Sequence, residues 1–478
     1  MDINNTQGNE SMKKQDQNKD VVSVNRRNFI KGGASVAIAG IGSTVFSAAS
    51  VADELDNDWG ISRYSSDEEF WDGVRSQFIL DDSTTYMNIG TTGSMPKHVL
   101  KNFHKNNKTV AKYPWDMDNK FGSWPYVSDM VADIAASFGA DPHEIILSRN
   151  TTDGMCSIIN GLNLQPGDVI LTTHHEHIAA VSPLNVVKER FGVDIVEIQL
   201  PVFTGSENVT ERDYVKAFRK AIKEHSNVKL ITFSHITYKT GTRLPAKKIC
   251  QLATKHQIPT LVDGAHTIGM LDLNFHDIDC DFYAGSGHKW QCGPGATGIL
   301  YVRDNMNRLK EWSNGEKPYW AINSSLGHLD FFGSQLQLQY IGNDNYPAKQ
   351  ALVDSCKMWD DIGRARIEKR VLELGSLCKD LLQEALPNAY IFSPNEKGLT
   401  SGLTTFNPFE LEDKELLTQF RDRLREDYGY IIRTTDFKLY KDDTADSNAL
   451  RISTHLFHNE EDVRGLVSAI RDLYDYMA

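Results

Sequence analysis

Paired cysteines are missing from this sequence. Its six cysteines, Cys156, Cys250, Cys280, Cys292, Cys356 and Cys378, are scattered along the chain. None stands in the C-x-x-C spacing of a redox or zinc motif, so no disulfide framework is indicated. Basic residues are also in the minority: 51 Lys and Arg face 64 Asp and Glu, a formal charge of −13. That balance argues against nucleic acid as a partner, because phosphates would be repelled. No apolar run outside the N-terminus reaches the length of a membrane span. Beyond residue 52 there is no internal repeat and no low-complexity block. What remains is a 478-residue chain, 40% hydrophobic, ample for a large core and suited to an enzyme subunit.

The N-terminus has its own pattern. Arg26-Arg27 is followed by Phe29, Ile30 and Lys31, then by a mildly apolar, Gly- and Ala-rich stretch from Gly32 to Ala49. Small residues around Ala48 to Ala52 offer a cleavage site. The segment resembles a twin-arginine export signal. The resemblance implies a signal over residues 1–52, passage of the folded protein through the twin-arginine machinery, a periplasmic or exported location, and no stable membrane anchor. The alternative is a disordered polar tail with a chance arginine pair.

From residue 143 onward, short apolar runs alternate with amphipathic stretches. The runs at 144–149, 168–173, 193–200, 229–236, 258–265, 281–286 and 298–303 are predicted strands, rich in Ile, Val and Leu on both faces. Doubly apolar strands separated by helices define an α/β fold with a mainly parallel sheet, in which ligands gather at the strands' carboxyl ends. The pattern changes near residue 375. Predicted strands at 402–408, 430–435 and 449–455 between two long helices read as a small α+β domain. The expected organisation is a large α/β domain over 53–374 and a small C-terminal domain over 375–478.

Polar residues cluster at those strand ends. Thr151, Thr152 and Asp153 open a helix after the first strand, either as an ordinary N-cap or as a phosphate site. Asp263 ends a buried strand, with His266 three residues on; it is a turn-forming Asp or the partner of a positive ring nitrogen. In His174-His175-Glu176-His177, strand alternation would put His175 and His177 on one face. A metal centre there lacks Asp or Cys partners at ligand spacing. Ser286, His288 and Lys289 precede a Gly-Pro-Gly turn. A lysine among donors and cations can lose its proton and form an imine with an aldehyde. A phosphate grip, a ring-nitrogen carboxylate and an imine-forming lysine are what pyridoxal 5′-phosphate (PLP) requires.

The stretch Cys280-Asp281, two apolar residues, Ser286-Gly287-His288-Lys289 and Gly295-Ala296-Thr297 resembles the lysine signature of class V aminotransferases. Similarity runs from about residue 67 to the C-terminus. Within the class the chain is most similar to isopenicillin N epimerase-like proteins, and it resembles the exported PLP enzymes of pyoverdine maturation. The resemblance implies PLP fold type I, a homodimer and PLP as cofactor. It implies that Lys289 bonds the cofactor, Asp263 pairs with its ring nitrogen, His266 approaches its phenolic oxygen and His177 stacks on the ring. Thr152, Asp153 through its backbone N–H, Ser286 and His288 would hold the phosphate. Arg451 would bind the substrate carboxylate, with Arg433 a second candidate for the same pocket; a surface ion pair is the alternative for Arg451. The stretch after Arg433 lacks the cysteine that desulfurases carry there. Tyr238 replaces their Asn, and Asn343 stands where the family often has a Thr that reaches the partner subunit's phosphate. No metal is expected.

The expected activity is PLP chemistry at the α-carbon of an amino acid or amino-acid-derived group, possible substrates including a siderophore side chain. Transamination ranks first, then epimerisation, then C–S lysis. A non-catalytic ligand- or metal-binding periplasmic protein is the alternative of another class.

Overall fold

The computed structural model describes residues 66–205, 208–329 and 333–477. The twin-arginine segment lies outside the described residues. Among those described, no helix is long and apolar enough to cross a membrane.

Thirteen strands are described. In chain order, β1 is Thr85–Tyr86, β2 Ile145–Ser148, β3 Val169–Thr173, β4 Asp194–Ile198, β5 Val228–Ser234, β6 Thr260–Gly264 and β7 Phe282–Ser286. β8 is Gly298–Val302, β9 Tyr390–Ile391, β10 Leu403–Asn407, β11 Tyr430–Ile431, β12 Arg433–Phe437 and β13 Ser447–Ser453. Strands β2 to β8 form one seven-stranded sheet in the order β2-β8-β7-β6-β5-β3-β4. Every neighbouring pair is parallel except those of β8, which runs antiparallel to β7 and β2. The sheet is therefore mainly parallel, as the doubly apolar strands predict. All residues of β6 and β7 are buried, because helices cover both faces of such a sheet. On one face Ile158, Ile159 and Leu184 pack on Ile170, Leu230 and Leu261. On the other, Phe218, Ile249 and Leu352 join Ile231, Phe233 and Val262.

The second sheet is antiparallel, in the order β12-β13-β10-β9. Helices Arg364–Ala385, Lys414–Tyr428 and Glu460–Met477 supply the Leu374, Leu382, Phe420, Leu424, Leu466 and Ile470 side chains that share a core with Phe406, Leu450 and Ile452. The run predicted as one strand at 430–435 divides at Ile432. Its first half, β11, pairs in parallel with β1, and its second half, β12, joins the antiparallel sheet. The chain therefore passes from β1, beside the second sheet, across to the large one. Tyr86 pins this crossing by donating its hydroxyl to the carbonyls of Asn88 and Thr92, at 3.0 Å each.

Candidate active site

The carboxyl ends of β3, β5, β6 and β7 open onto a cavity of about 270 Å³. Lys289 stands in its wall, on a turn folded by Gly287 N–H to the Thr297 carbonyl (2.9 Å) and Gly293 N–H to the Gly287 carbonyl (2.8 Å). The crossing loop lies on this turn, with Gly93 N–H donating to the His288 carbonyl at 2.8 Å. A Cβ on Gly93 would sit 2.1 Å from the Lys289 carbonyl oxygen, so only glycine allows that approach. Gly90 lies close to Arg451, whose Nη2 would be 2.9 Å from an added Cβ, a side-chain contact rather than a backbone one.

Nine of the predicted site residues line the cavity: Lys289, Asp263, His266, His177, Thr152, Ser286, His288, Arg451 and Arg433. Asp153 does not. Its backbone N–H donates to the Asn150 side chain (2.9 Å), which caps the helix Thr151–Gly161, and its carboxylate is turned to Arg149. The N-cap satisfies that N–H here, and the expected phosphate contact through it stays a proposal. Thr151, which the sequence offers with Thr152 as N-cap or phosphate site, belongs to this group: its hydroxyl lies 2.7 Å from that of Ser286. These hydroxyls, the helix N-terminus and the buried, unpartnered Nδ1 of His288 form an anion cup that fits a phosphate.

Asp263 ends β6 with Oδ1 accepting from Ala265 N–H at 2.8 Å. Burial raises its pKa, against the pull of that hydrogen bond and of Lys289, so it is a site that favours a cationic partner. Lys289 is lowered to about 8, chiefly by burial; Asp263 opposes the shift and Arg451 and Arg433 add to it. His266 Nδ1 accepts from the Trp290 indole at 3.2 Å. An indole nitrogen only donates, so the proton of the neutral ring sits on Nε2. Burial holds His266 well below the usual histidine range.

The alternation expected for the histidines fails because β3 ends at Thr173. His177 caps the next helix, Ile178–Phe191, its Nδ1 accepting from Ala179 N–H at 3.1 Å. Its pKa falls to about 4 through burial and the neighbouring cations. His175 instead turns to the Lys438 carbonyl (2.9 Å) and lies against His174, ring centres 4.0 Å apart and planes tilted by 31°. The three rings therefore share no common ligand point. Glu176 was passed over in the sequence, and nothing but its place before His177 marked it. It is buried, accepting from Thr173 Oγ1 (2.5 Å), Ser234 Oγ (2.6 Å) and Ser234 N–H (3.2 Å). It thereby ties the ends of β3 and β5 together and fixes the turn from which His177 emerges.

Arg451, on β13, is 1% exposed. Its Nη1 donates to the Tyr238 carbonyl at 3.0 Å, while Nε and Nη2 are buried without a partner. Burial, then Arg433, lowers its pKa to about 9. Such an orphaned, cationic fork fits an incoming carboxylate. No cysteine lines the cavity; Cys292 is packed against His455 at 3.5 Å. Asn343 faces the carboxylate of Asp118 within its own chain.

A parallel-rich sheet with lysine, carboxylate and anion cup at its carboxyl edge defines a PLP enzyme of fold type I. The sequence matches the model of the family Aminotransferase class-V over residues 87–466, and the chain belongs to that family. It is 26% identical over 410 residues to isopenicillin N epimerase of Streptomyces clavuligerus, covering 84% of this chain and 97% of that one. A probable cysteine desulfurase of Halalkalibacterium halodurans is 26% identical over 339 residues, 70% of this chain and 78% of the other. The fold is shared with the cystine C–S lyase C-DES, solved with glycine covalently linked to its PLP cofactor: TM-score 0.65, 23% identity, 83% of this chain and 99% of that one. PLP is the cofactor of this chain, and the site residues fit it.

Proposed function

We propose that this PLP enzyme removes the α-proton of an amino-acid substrate in an aminotransferase-type conversion, with Lys289 as acid and base. The observation that carries this is the place of Lys289 in the cavity wall with Asp263, His177 and Arg451; burial lowers it to about 8, within reach of neutrality, whereas His177, at about 4, and His266 lie far below. When bound, PLP supplies an electron sink for the pair left by the breaking Cα–H bond. Asp263 would pair with the ring nitrogen, His266 would offer its Nε2–H to the ring oxygen, and His177 would cover the ring face. Thr151, Thr152, Ser286 and His288 take the phosphate. Arg451 takes the substrate carboxylate and so fixes which α-bond faces Lys289. A single base working on one face suits transamination. Epimerisation is the second reading, favoured by the near full-length similarity to isopenicillin N epimerase. C–S lysis is the third reading, supported by the similarity to a probable cysteine desulfurase; among the described residues no thiol lines the cavity to carry sulfur onward.

We also infer a homodimer, supported by exposed Trp115, Trp320 and Ile322, and export directed by Arg26-Arg27. The test of the reaction is incubation of the loaded enzyme with an amino-acid panel in D₂O. α-Deuterium exchange with keto-acid release is expected, and Arg451→Ala should slow it by about 2 kcal/mol or more in kcat/KM. Inverted amino acid as the main product would replace transamination by epimerisation. Sulfide from cysteine as the main product would replace transamination by C–S lysis, in which loss of the α-proton is followed by loss of the β-sulfur.

A further inference from the structure

One carboxylate does not account for the cations at the cavity. In the antiparallel pair β12–β13, Arg433 stands directly opposite Arg451. Directly opposed residues present their side chains on one face, and like charges so placed destabilise a sheet. Neither guanidinium is ion-paired with a described carboxylate. Arg451 is at depth. Arg433 is exposed at the mouth, where Nη1 donates to Thr91 Oγ1 and Nε to the Thr434 carbonyl, both at 3.2 Å. Its Nη2 has no hydrogen-bond partner among the described residues. Lys239 adds a third cation nearby, its Nζ on the Asp436 carbonyl at 3.0 Å.

The other charges of the site are already matched. Asp263 would answer the ring nitrogen, and the hydroxyl and helix N-terminus cup would take the phosphate without calling on either arginine. The substrate's α-carboxylate can neutralise Arg451 but leaves Arg433 facing it uncompensated. Two opposed guanidiniums, one buried with open donors and one at the entrance, match a ligand with two acid groups spaced along it.

We propose that the substrate is an amino acid bearing a second, distal carboxylate, with its α-carboxylate on Arg451 and the distal one on Arg433. This deepens the assignment of Cα chemistry and rests on it for the word substrate; the two-anion subsite itself can be tested by binding alone. The distal group sits toward solvent, so the subsite reads charge at the entrance, and charge-assisted contacts of this kind are specific for an ionised acid over its amide or alkyl analogue.

The test is calorimetric titration of the loaded enzyme with glutarate and with pentanoate, which differ by one carboxylate, together with turnover of free glutamate against glutamine. Glutarate should bind roughly tenfold or more tighter than pentanoate, and glutamate should exceed glutamine in kcat/KM by a similar factor. Arg433→Gln should bring both ratios near one, while Arg433→Lys should keep part of each. Equal affinity for the two acids in the wild type would overturn the proposal. So would Arg433→Gln lowering both acids by the same factor, since the arginine would then serve the first carboxylate only. A glutarate preference lost in Arg433→Gln, without α-proton exchange from any amino acid, would support the two-anion subsite while removing the Cα chemistry.

Discussion

Gly93→Ala isolates the seam between the crossing loop and the lysine turn. Its new Cβ would stand 2.1 Å from the Lys289 carbonyl oxygen and 2.9 Å from Cys292 Sγ, where ordinary contact begins at 3.4 Å. One obstacle is backbone and the other a buried sulfur, so neither yields by a rotamer change. The loop must retreat by about 1 Å, a displacement comparable to forced overpacking at about 1–3 kcal/mol. The retreat also breaks the Gly93 N–H bond to the His288 carbonyl, worth about 1 kcal/mol. The expected destabilisation is thus about 2–4 kcal/mol, with weaker cofactor retention because Lys289 and His288 shift with their carbonyls. Gly295→Ala is the internal control: it lies in the same Gly-rich turn, yet an added Cβ meets nothing within 4 Å. Denaturant midpoints of the apo and loaded forms, with cofactor affinity read from absorbance, measure both effects. Gly93→Ala matching Gly295→Ala in stability and cofactor affinity would refute the close-packed seam.

Two further outcomes are expected. Burial is the main cause raising Glu176 to about 7 from an ordinary 4.5, against its hydrogen bonds from Ser234 and Thr173, with Asp263 adding to the rise. A raised carboxyl contributes stability that is complete below pH 4.5 and lost as pH climbs through 7, here roughly 3 kcal/mol. Glu176→Gln should therefore flatten the apoenzyme's stability between those pH values and exceed wild type above pH 7; an unchanged pH slope would show that Glu176 does not titrate there. Replacing Arg26 and Arg27 by Lys should retain the protein inside the cell, as fractionation with a cofactor-absorbance readout would show; normal export of the double variant removes the signal assignment.

The large sheet was legible because its inner strands, such as β6 and β7, are buried on both faces and so appear as apolar runs, while the edge strand β4 is largely open. The site was legible where chemistry demands a particular side chain: Lys289, Asp263, Arg451 and the hydroxyls beside them need no neighbour to declare their type. What sequence hid was competition and termination. Nothing in the run of residues said that Asn150 would take the Asp153 N–H, since a cap and a ligand use the same donor. The alternation applied to His175 and His177 held only while the strand lasted, and β3 stops one residue before His174. Gly90 and Gly93 resemble any loop glycines until their neighbours, more than 190 residues away along the chain, are placed against them.

That crossing loop has a consequence for how the molecule is made. The cavity draws Gly90 and Thr91 from one end of the described chain and Arg433 and Arg451 from the other, and β1 needs β11 as its only described pairing partner. A ribosome that has completed the seven-stranded sheet has built the lysine, the carboxylate and the anion cup, but neither the substrate clamp nor the strand that anchors the loop pressed on Lys289. The nascent chain can therefore present a phosphate grip well before it can present a closed reaction chamber. Cofactor retention should mature only after the last strand leaves the ribosome, which makes completion of the active site one of the final acts of the protein's synthesis.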